Sequence, residues 1–330
     1  MKILILCHES LVPKLGWAAW PEWRVEKSRS RTEVFCAQTL KRLGHRVYFS
    51  GVGNKFGPAK SKIKKIRPEI VFNFLEEFDG EGLLEPLVVD LIESVGGKST
   101  GCGGRGLLLA KNKVACNELL RARQIRVPAP IGWPRIVKFV GEDASLGISD
   151  SNIVFNSTQE TRALNRMQKL MPGAVYSEKF IEGRELFCSV FVDDRRDVLI
   201  SDLFEIDFGC KKGPKIMTER MKWDFKYRKS KSISFGRAVG LPKTAISECA
   251  KFVKTAISEL CLNGPVRFDF RMTKGGRLFL IEVNPNPDLA KHDEYVAAMK
   301  SLGLTYEDVL TMIIRRRVSP KSIASKTPSR

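Results

Sequence analysis

The sequence predicts an α/β chain: a small doubly wound unit at the N-terminus, then a longer α+β part in which strands dominate. Three observations lead there. The chain opens on a short apolar strand, MKILILC over 1–7, with a helix and a second strand behind it. Strand-length apolar runs recur from 135 onward. Residues 266–289, VRFDFRMTKGGRLFLIEVNPNPDL, read as two strands joined by a Lys-Gly-Gly turn.

Residues 2–7 make the first buried strand. The polar sequence from His8, with no cleavage pattern, argues against a signal peptide, and the expected location is the cytoplasm. A loop rich in Trp and Arg precedes a helix at about 31–43 that buries Val34, Phe35, Leu40 and Leu43 and stops at Gly44. Strands at 46–50 and 70–75 and a helix at about 82–95 complete the unit. A glycine loop, 99–106, feeds a helix at 107–123, and 127–134 is a proline-rich connector. Strands follow at 135–140, 153–156, 175–180, 185–192 and 197–203. A helix at 158–171 presents Leu164, Met167 and Leu170 on one face. A long helix, 242–262, starts with Pro242 at its first position and turns Ile246, Cys249, Val253, Ala256 and Leu260 inward. After the hairpin, helices at 295–302 and 306–317 close the fold, and Thr305 with Asp308 resembles a capping box.

A chain of 330 residues that is 43% hydrophobic can build two or three cored domains. No apolar run approaches the roughly 18 residues of a membrane span. The net charge of +19, from 56 basic and 37 acidic residues, favours anionic partners: nucleotides, nucleic acid or an anionic membrane surface. The excess sits in three stretches. Residues 53–68 hold six basic residues and no acid, 209–237 hold ten against Glu219 and Asp224, and 315–330 hold six and no acid. The first reads as a solvated face and the last as a flexible tail rich in Ser, Thr and Pro. Eight scattered cysteines without a CxxC pair give neither a zinc pattern nor a disulfide framework, so most are expected in the core.

The hairpin carries the sharpest chemical signal. Arg267, Asp269 and Arg271 alternate on its first strand, and Glu282 and Asn284 on its second. Side chains two apart share a strand face, so the pairing can gather an arginine, two carboxylates and an amide. A solvated sheet face shows the same alternation. Against that reading stand the apolar run 278–281 and the rigid Asn-Pro-Asn-Pro exit. Asp, Glu and Asn are hard oxygen ligands suited to magnesium, the usual companion of nucleotide phosphates.

Two phosphate-binding patterns fail. Gly97-Lys98-Ser99 ends like a Walker loop, but Ile92 stands where its first glycine belongs. Residues 101–106 fit GxGxxG, but no strand leads into them and no acid follows about twenty residues on. Three other segments fit one chemistry. Lys138 ends a buried strand and is followed by GEDASLGI, 141–148, whose small residues let backbone N–H groups approach phosphates, although such loops are common surface turns. Residues 176–190 place Glu178 and Glu185 at either end of a strand–turn–strand, suited to an adenine amine and ribose hydroxyls, or to a charged surface hairpin. Lys222 lies in a basic loop, 211–237, able to close over a triphosphate and exclude water.

The order IVK, small-residue loop, EKFIEGRE, Lys-Trp in a basic loop, RFD and LIEVNPNP resembles the ATP-grasp superfamily, and within it the D-alanine–D-alanine ligase group, over roughly 2–316. That resemblance implies two α+β subdomains holding ATP between them: 1–98 as the N-terminal domain, 99–183 and 184–317 as the subdomains, and 318–330 as a basic flexible tail. It implies ATP and Mg2+, with Mn2+ as a possible substitute. Nucleotide binding falls to Lys113, Lys138, Ser145, Gly147, Glu178, Lys179, Ile181, Glu185 and Lys222. The metal falls to Asp269, Glu282 and Asn284. Arg267 takes the oxyanion of a tetrahedral intermediate, Lys222 the triphosphate under a mobile loop, and Glu26 the amino group of the first substrate. The family also implies a homodimer.

Departures cluster at the substrate end. The family's serine-leucine pair after a histidine is replaced by Asp293-Glu294 after His292, so His292, Asp293 and Glu294 are candidate substrate residues that suit a cationic or polyhydroxylated acceptor. Ala144-Ser145 stands where two serines are usual, Trp223 where a tyrosine is, and Glu76 or Glu77 near an absent histidine. The expected function is an ATP-dependent carboxylate–amine ligase acting on small molecules, with a substrate pair other than two D-alanines and no nucleic acid partner. The alternative is a non-catalytic nucleotide-binding protein docking through its basic surface to nucleic acid or membrane.

Overall fold

The computed structural model describes residues 1–143, 145–171 and 173–317. The basic tail expected over 318–330, and Ala144 of the small-residue loop, lie outside the described residues.

The N-terminal part is α/β. Strands β1 (Lys2–His8), β2 (Arg46–Val52) and β3 (Ile70–Asn73) form a parallel sheet in the order β2-β1-β3. Ile3, Leu4, Ile5 and Leu6 of its central strand are fully buried, as a parallel sheet covered on both faces requires. Helices α1 (Glu22–Glu26), α2 (Arg31–Arg42), α3 (Gly57–Ile66) and α4 (Glu85–Ser94) belong to this part. The basic stretch at 53–68 is mostly α3, which buries Ala59 and Ile63 and leaves its lysines in solvent.

The helix expected over 107–123 is two helices, α5 (Gly104–Lys111) and α6 (Lys113–Ala122). Asn112 breaks them: its backbone leaves the helical region, and its side chain accepts the N–H of Ala115 to cap α6. Strands β4 (Arg135–Phe139), β5 (Ile153–Val154) and β6 (Val175–Lys179) form an antiparallel sheet, β5-β4-β6, backed by α7 (Ser157–Leu170).

The third sheet is antiparallel along β10-β9-β7-β11-β12, with β8 also on β7. Its strands are β7 (Arg184–Val192), β8 (Val198–Ile200), β9 (Phe204–Asp207), β10 (Ser234–Arg237), β11 (Gly264–Met272) and β12 (Leu278–Asn284). The basic loop contains short helices α8 (Glu219–Trp223) and α9 (Phe225–Ser230), which the sequence reading missed along with α1, α3, β9 and β10. Helix α10 (Lys243–Glu259) packs Cys249, Phe252, Val253 and Ala256 onto one sheet face, against Val266, Phe268 and Phe270 of β11. Pro242 is its N-cap, one residue earlier than expected. Helices α11 (Glu294–Met299) and α12 (Tyr306–Arg317) follow, and Thr305 and Asp308 exchange the bonds of a capping box. Leu43, Leu170 and Ile246 are 37%, 59% and 52% exposed, each at the margin of an apolar stripe rather than at its centre. Six of the eight cysteines are buried. No described helix is long and apolar enough to cross a membrane.

Phe268 is fully buried between β11 and α10. Phe268→Ala should cost about 3–5 kcal/mol of unfolding free energy, read from the urea midpoint, because the cavity it leaves cannot collapse between two packed layers.

Candidate functional site

Because β11 spends its even residues on the core, its odd residues face the other way. Arg267, Asp269 and Arg271 therefore point at a cleft lined by the third sheet on one side and the β4–β6 sheet on the other. In the pairing with β12, Arg267 lies opposite Asn284 and Asp269 opposite Glu282. The register shifts after Asp269, so Ile281 is an extra residue, a β-bulge. Ile281 and Glu282 both line the cleft as a result. Arg267 clamps Asp269 through two bonds of 2.7 and 2.8 Å. Asn284 shares this strand face, but it is 8% exposed, does not line the cleft, and its amide oxygen accepts the Asn286 N–H at 2.9 Å.

Opposite this face stand two lysines from the helix break at Asn112. Lys113 Nζ donates to the Glu142 carbonyl at 2.6 Å and to Asp143 Oδ1 at 2.9 Å, and lies 3.4 Å from Glu282 Oε1. Lys111, 3% exposed, donates to Glu85 at 2.6 Å, to Asp143 Oδ2 at 2.8 Å and to the Glu76 carbonyl at 2.9 Å. Burial pushes the Glu282 carboxyl up to about 7 against the pull of Lys113, with Asp143 adding to the rise. Burial works the same way on Asp143, but Lys111 and Lys113 together hold it well below the usual range. Glu85 is raised to about 7 by burial, against Lys111.

The inner end of the cleft mixes apolar walls with placed carboxylates. Ile136, Phe180, Ile181, Phe187 and Ile216 line it. Glu178, one residue across the ladder from Ile136, bonds Lys138 at 2.7 Å and the Asn117 amide at 3.0 Å. Glu185 bonds Arg271 at 2.7 Å, and burial raises its carboxyl despite that partner. Lys179, Ser145 and Lys222 also line the cleft. Gly147, at φ +69°, donates its N–H to Glu219 Oε2 at 2.9 Å, and Glu219 N–H bonds the Ile148 carbonyl at 3.0 Å. Those bonds fasten the basic loop to the small-residue loop.

The substrate end differs from expectation. His292 is exposed and faces Glu22 at 3.2 Å and Glu26 at 3.7 Å, outside the cleft lining. Glu26 is likewise exposed on α1 and does not line the cleft. Asp293 is 8% exposed and bonds Arg31 at 2.5 Å, and Arg31 also lies 3.7 Å from Asp288. Burial raises Asp293 well above the usual range, with Asp288 and Glu294 adding to the rise. Of the three, only Glu294 lines the cleft, 3.7 Å from Arg267. Burial would raise its carboxyl, but Arg267 and Lys222 hold it low.

Sequence reasoning gave no role to Lys111, Glu85, Asp143, Glu219 or Asn117. Each sits in a quoted or adjacent segment, yet its partner lies far along the chain: 26 residues for Lys111–Glu85, 61 for Asn117–Glu178 and 72 for Gly147–Glu219.

Residues 110–315 match the family described as D-ala D-ala ligase C-terminus. The D-alanine–D-alanine ligase of Bartonella bacilliformis is 25% identical over 308 residues, spanning 88% of this chain and 94% of that protein. That of Aquifex aeolicus is 24% identical over 301 residues, spanning 86% and 94%. Among solved structures, D-alanine–D-alanine ligase from Bacillus anthracis complexed with ATP has a TM-score of 0.70 at 17% identity, covering 96% of this chain and 97% of that one. VanG D-Ala:D-Ser ligase from Enterococcus faecalis gives 0.68 at 16% identity, covering 96% and 99%. These structures share the ATP-grasp fold with the chain.

Glu33 lies beside the substrate end, 3% exposed at the start of α2. Burial raises its carboxyl to about 7, with Asp288 and Glu76 adding to the rise. A raised carboxyl contributes stability that is complete below its unfolded pKa and is lost as pH climbs through the folded one. The advantage of Glu33→Gln over wild type should therefore grow between about pH 4.5 and 7, by on the order of 3 kcal/mol at most, and then level off. Urea unfolding of both proteins across that range checks it.

Proposed function

Because the chain belongs to the D-alanine–D-alanine ligase family of ATP-dependent, C–N bond-forming ligases, we propose that it joins a carboxylate to an amine through an acylphosphate, on a pair other than two D-alanines. One observation carries the reading. The β11–β12 register sets Arg267, Asp269, Glu282 and Asn284 on one face, opposite Lys113 and Lys138 across the cleft.

The residues divide the work. Glu178, Lys179, Ile181 and Glu185 hold the base and ribose. Lys113, Lys138 and Lys222 hold the phosphates, with Ser145 and Gly147 in the loop above them. Asp269 and Glu282 are hard oxygen donors in the cleft that fit Mg2+, which when bound neutralises phosphate charge; Asn284 shares their strand face and would join them only by turning its amide oxygen from the Asn286 N–H. The substrate carboxylate attacks the γ-phosphorus, ADP leaves, and an acylphosphate forms. The amine then attacks the acyl carbon, its proton departs, and phosphate leaves. Arg267 faces the oxygen that gains charge in that step, and the enzyme works mainly by positioning and by fixed charge. The basic loop, fastened through Glu219, keeps water from the acylphosphate. The three sheets correspond to the proposed units 1–98, 99–183 and 184–317, working in the cytoplasm.

At the acceptor end, the cleft presents Glu294 where a dipeptide ligase presents an apolar wall. A carboxylate there repels a free amino-acid carboxylate and favours a cationic or polyhydroxylated amine. The structure does not bring Glu26, His292 or Asp293 to the cleft, so none takes a role here, and Asp293 is held by Arg31.

ADP release with a panel of carboxylates and amines tests the reading. The expected result is stimulation by a carboxylate together with a polar or cationic amine, and none by D-alanine alone. Polyanion binding with a steep salt dependence and no ATP turnover across the panel would support the non-catalytic alternative instead. Glu282→Gln should abolish metal-dependent ATP use and leave the melting curve intact; full turnover in that variant removes the site assignment.

A further inference from the structure

The loop over the phosphates carries an acid at its deepest point. Asp143 stands behind Lys113 and meets the face proposed for the metal through that lysine. Its two oxygens take one ammonium each, Lys113 at 2.9 Å and Lys111 at 2.8 Å. Lys113 Nζ lies between Asp143 and Glu282, so the two carboxyls share one ammonium. Two carboxylates brought together need positive charge between or beside them. Here Lys113 supplies it, 3.4 Å from Glu282 and 2.9 Å from Asp143.

We propose that Asp143 is a further carboxylate of the metal cluster, brought to it by the phosphate-covering loop. The inference rests on the metal role proposed for Asp269 and Glu282. Once nucleotide is bound, Lys113 has phosphate oxygens to bond and turns from the two carboxylates. Asp143 and Glu282 are then left facing one another, and a divalent cation is the group that fits between them. A carboxylate has about four lone-pair positions, so Asp143 keeps Lys111 while turning another position to the cation. Lys111 holds it there through Glu85, which also accepts the Asn286 amide at 3.0 Å. Lys111 is thus a positioning residue, and the metal end of the site is tied to α4 of the N-terminal part.

The test is Mn2+ binding to the full chain with ADP, followed by electron paramagnetic resonance, for wild type, D143N, D143E and E282Q. Nucleotide affinity without metal is measured in parallel. The expected result is a loss of about tenfold or more in Mn2+ affinity for D143N, partial recovery in D143E, and no loss of metal-free ADP binding. Wild-type Mn2+ affinity in D143N, with E282Q impaired, overturns the inference and leaves the metal reading standing. Tighter metal-free ADP binding in D143N with unchanged Mn2+ affinity also overturns it, because Asp143 then acts only as a competitor for Lys113. No Mn2+ binding by wild type overturns the metal reading and the inference together. Should D143N fail to fold by circular dichroism, D143E decides alone: an unchanged Mn2+ spectrum and affinity overturn the proposal.

Discussion

Two ammonium groups two residues apart organise the molecule. An unpaired charge cannot be buried at tolerable cost, so each of these lysines must recruit carboxylates. Lys111 takes Glu85 from α4 and Asp143 from the small-residue loop, while Lys113 takes Asp143 and approaches Glu282 on β12. Three parts of the chain, a helix, a loop and a strand, therefore meet at one point. The break at Asn112 makes this possible. A continuous helix would set residues 111 and 113 about 200° apart, on opposite faces. The capped turn at Asn112 instead lets both side chains reach the same acid.

The charged half of the cleft was legible because it obeys period two. Arg267, Asp269, Glu282 and Asn284 are separated by even steps along paired strands, so a register read from alternation already placed them together. The bulge at Ile281 was not legible, since an extra strand residue looks like any other apolar residue until the partner strand is known. The N-terminal sheet was legible from its apolar runs and the glycine stop at Gly44. The basic loop was not: its charge hid Met221 and Ile216, both of which are buried. Asp143 and Lys111 read as a loop acid and a helix-end lysine, because what distinguishes them is a partner that only the fold supplies.

The substrate end shows how the same residue types change meaning with their neighbours. His292, Asp293 and Glu294 are consecutive, yet they point at three environments. His292 looks out at α1, Asp293 is neutralised in place by Arg31 beside Asp288, and Glu294 begins α11 facing Arg267. Read as a string they look like an acidic wall. Read in the fold they are one surface contact, one buried acid bonded to Arg31 and one carboxylate in the cleft beside Arg267. Of the three acids and bases in that string, the cleft therefore receives one charge, held 3.7 Å from Arg267.

The attachment of the basic loop to the small-residue loop follows from the same economy of charge. Glu219 is one of only two acids in a loop with ten basic residues, and it spends its carboxylate on the Gly147 N–H. Gly147 is left-handed, and a side chain there would press on Met167 and Phe139 at about 3.0–3.2 Å, so the turn that offers this N–H requires glycine. Lys222 lies one turn further along α8 and lines the cleft. Fastening Glu219 therefore holds the Lys222 ammonium at the cleft through a bond between a carboxylate and a main-chain N–H. The basic loop is held by a backbone donor, and a backbone donor is indifferent to the presence of Ala144 where a serine is usual or of Trp223 where a tyrosine is.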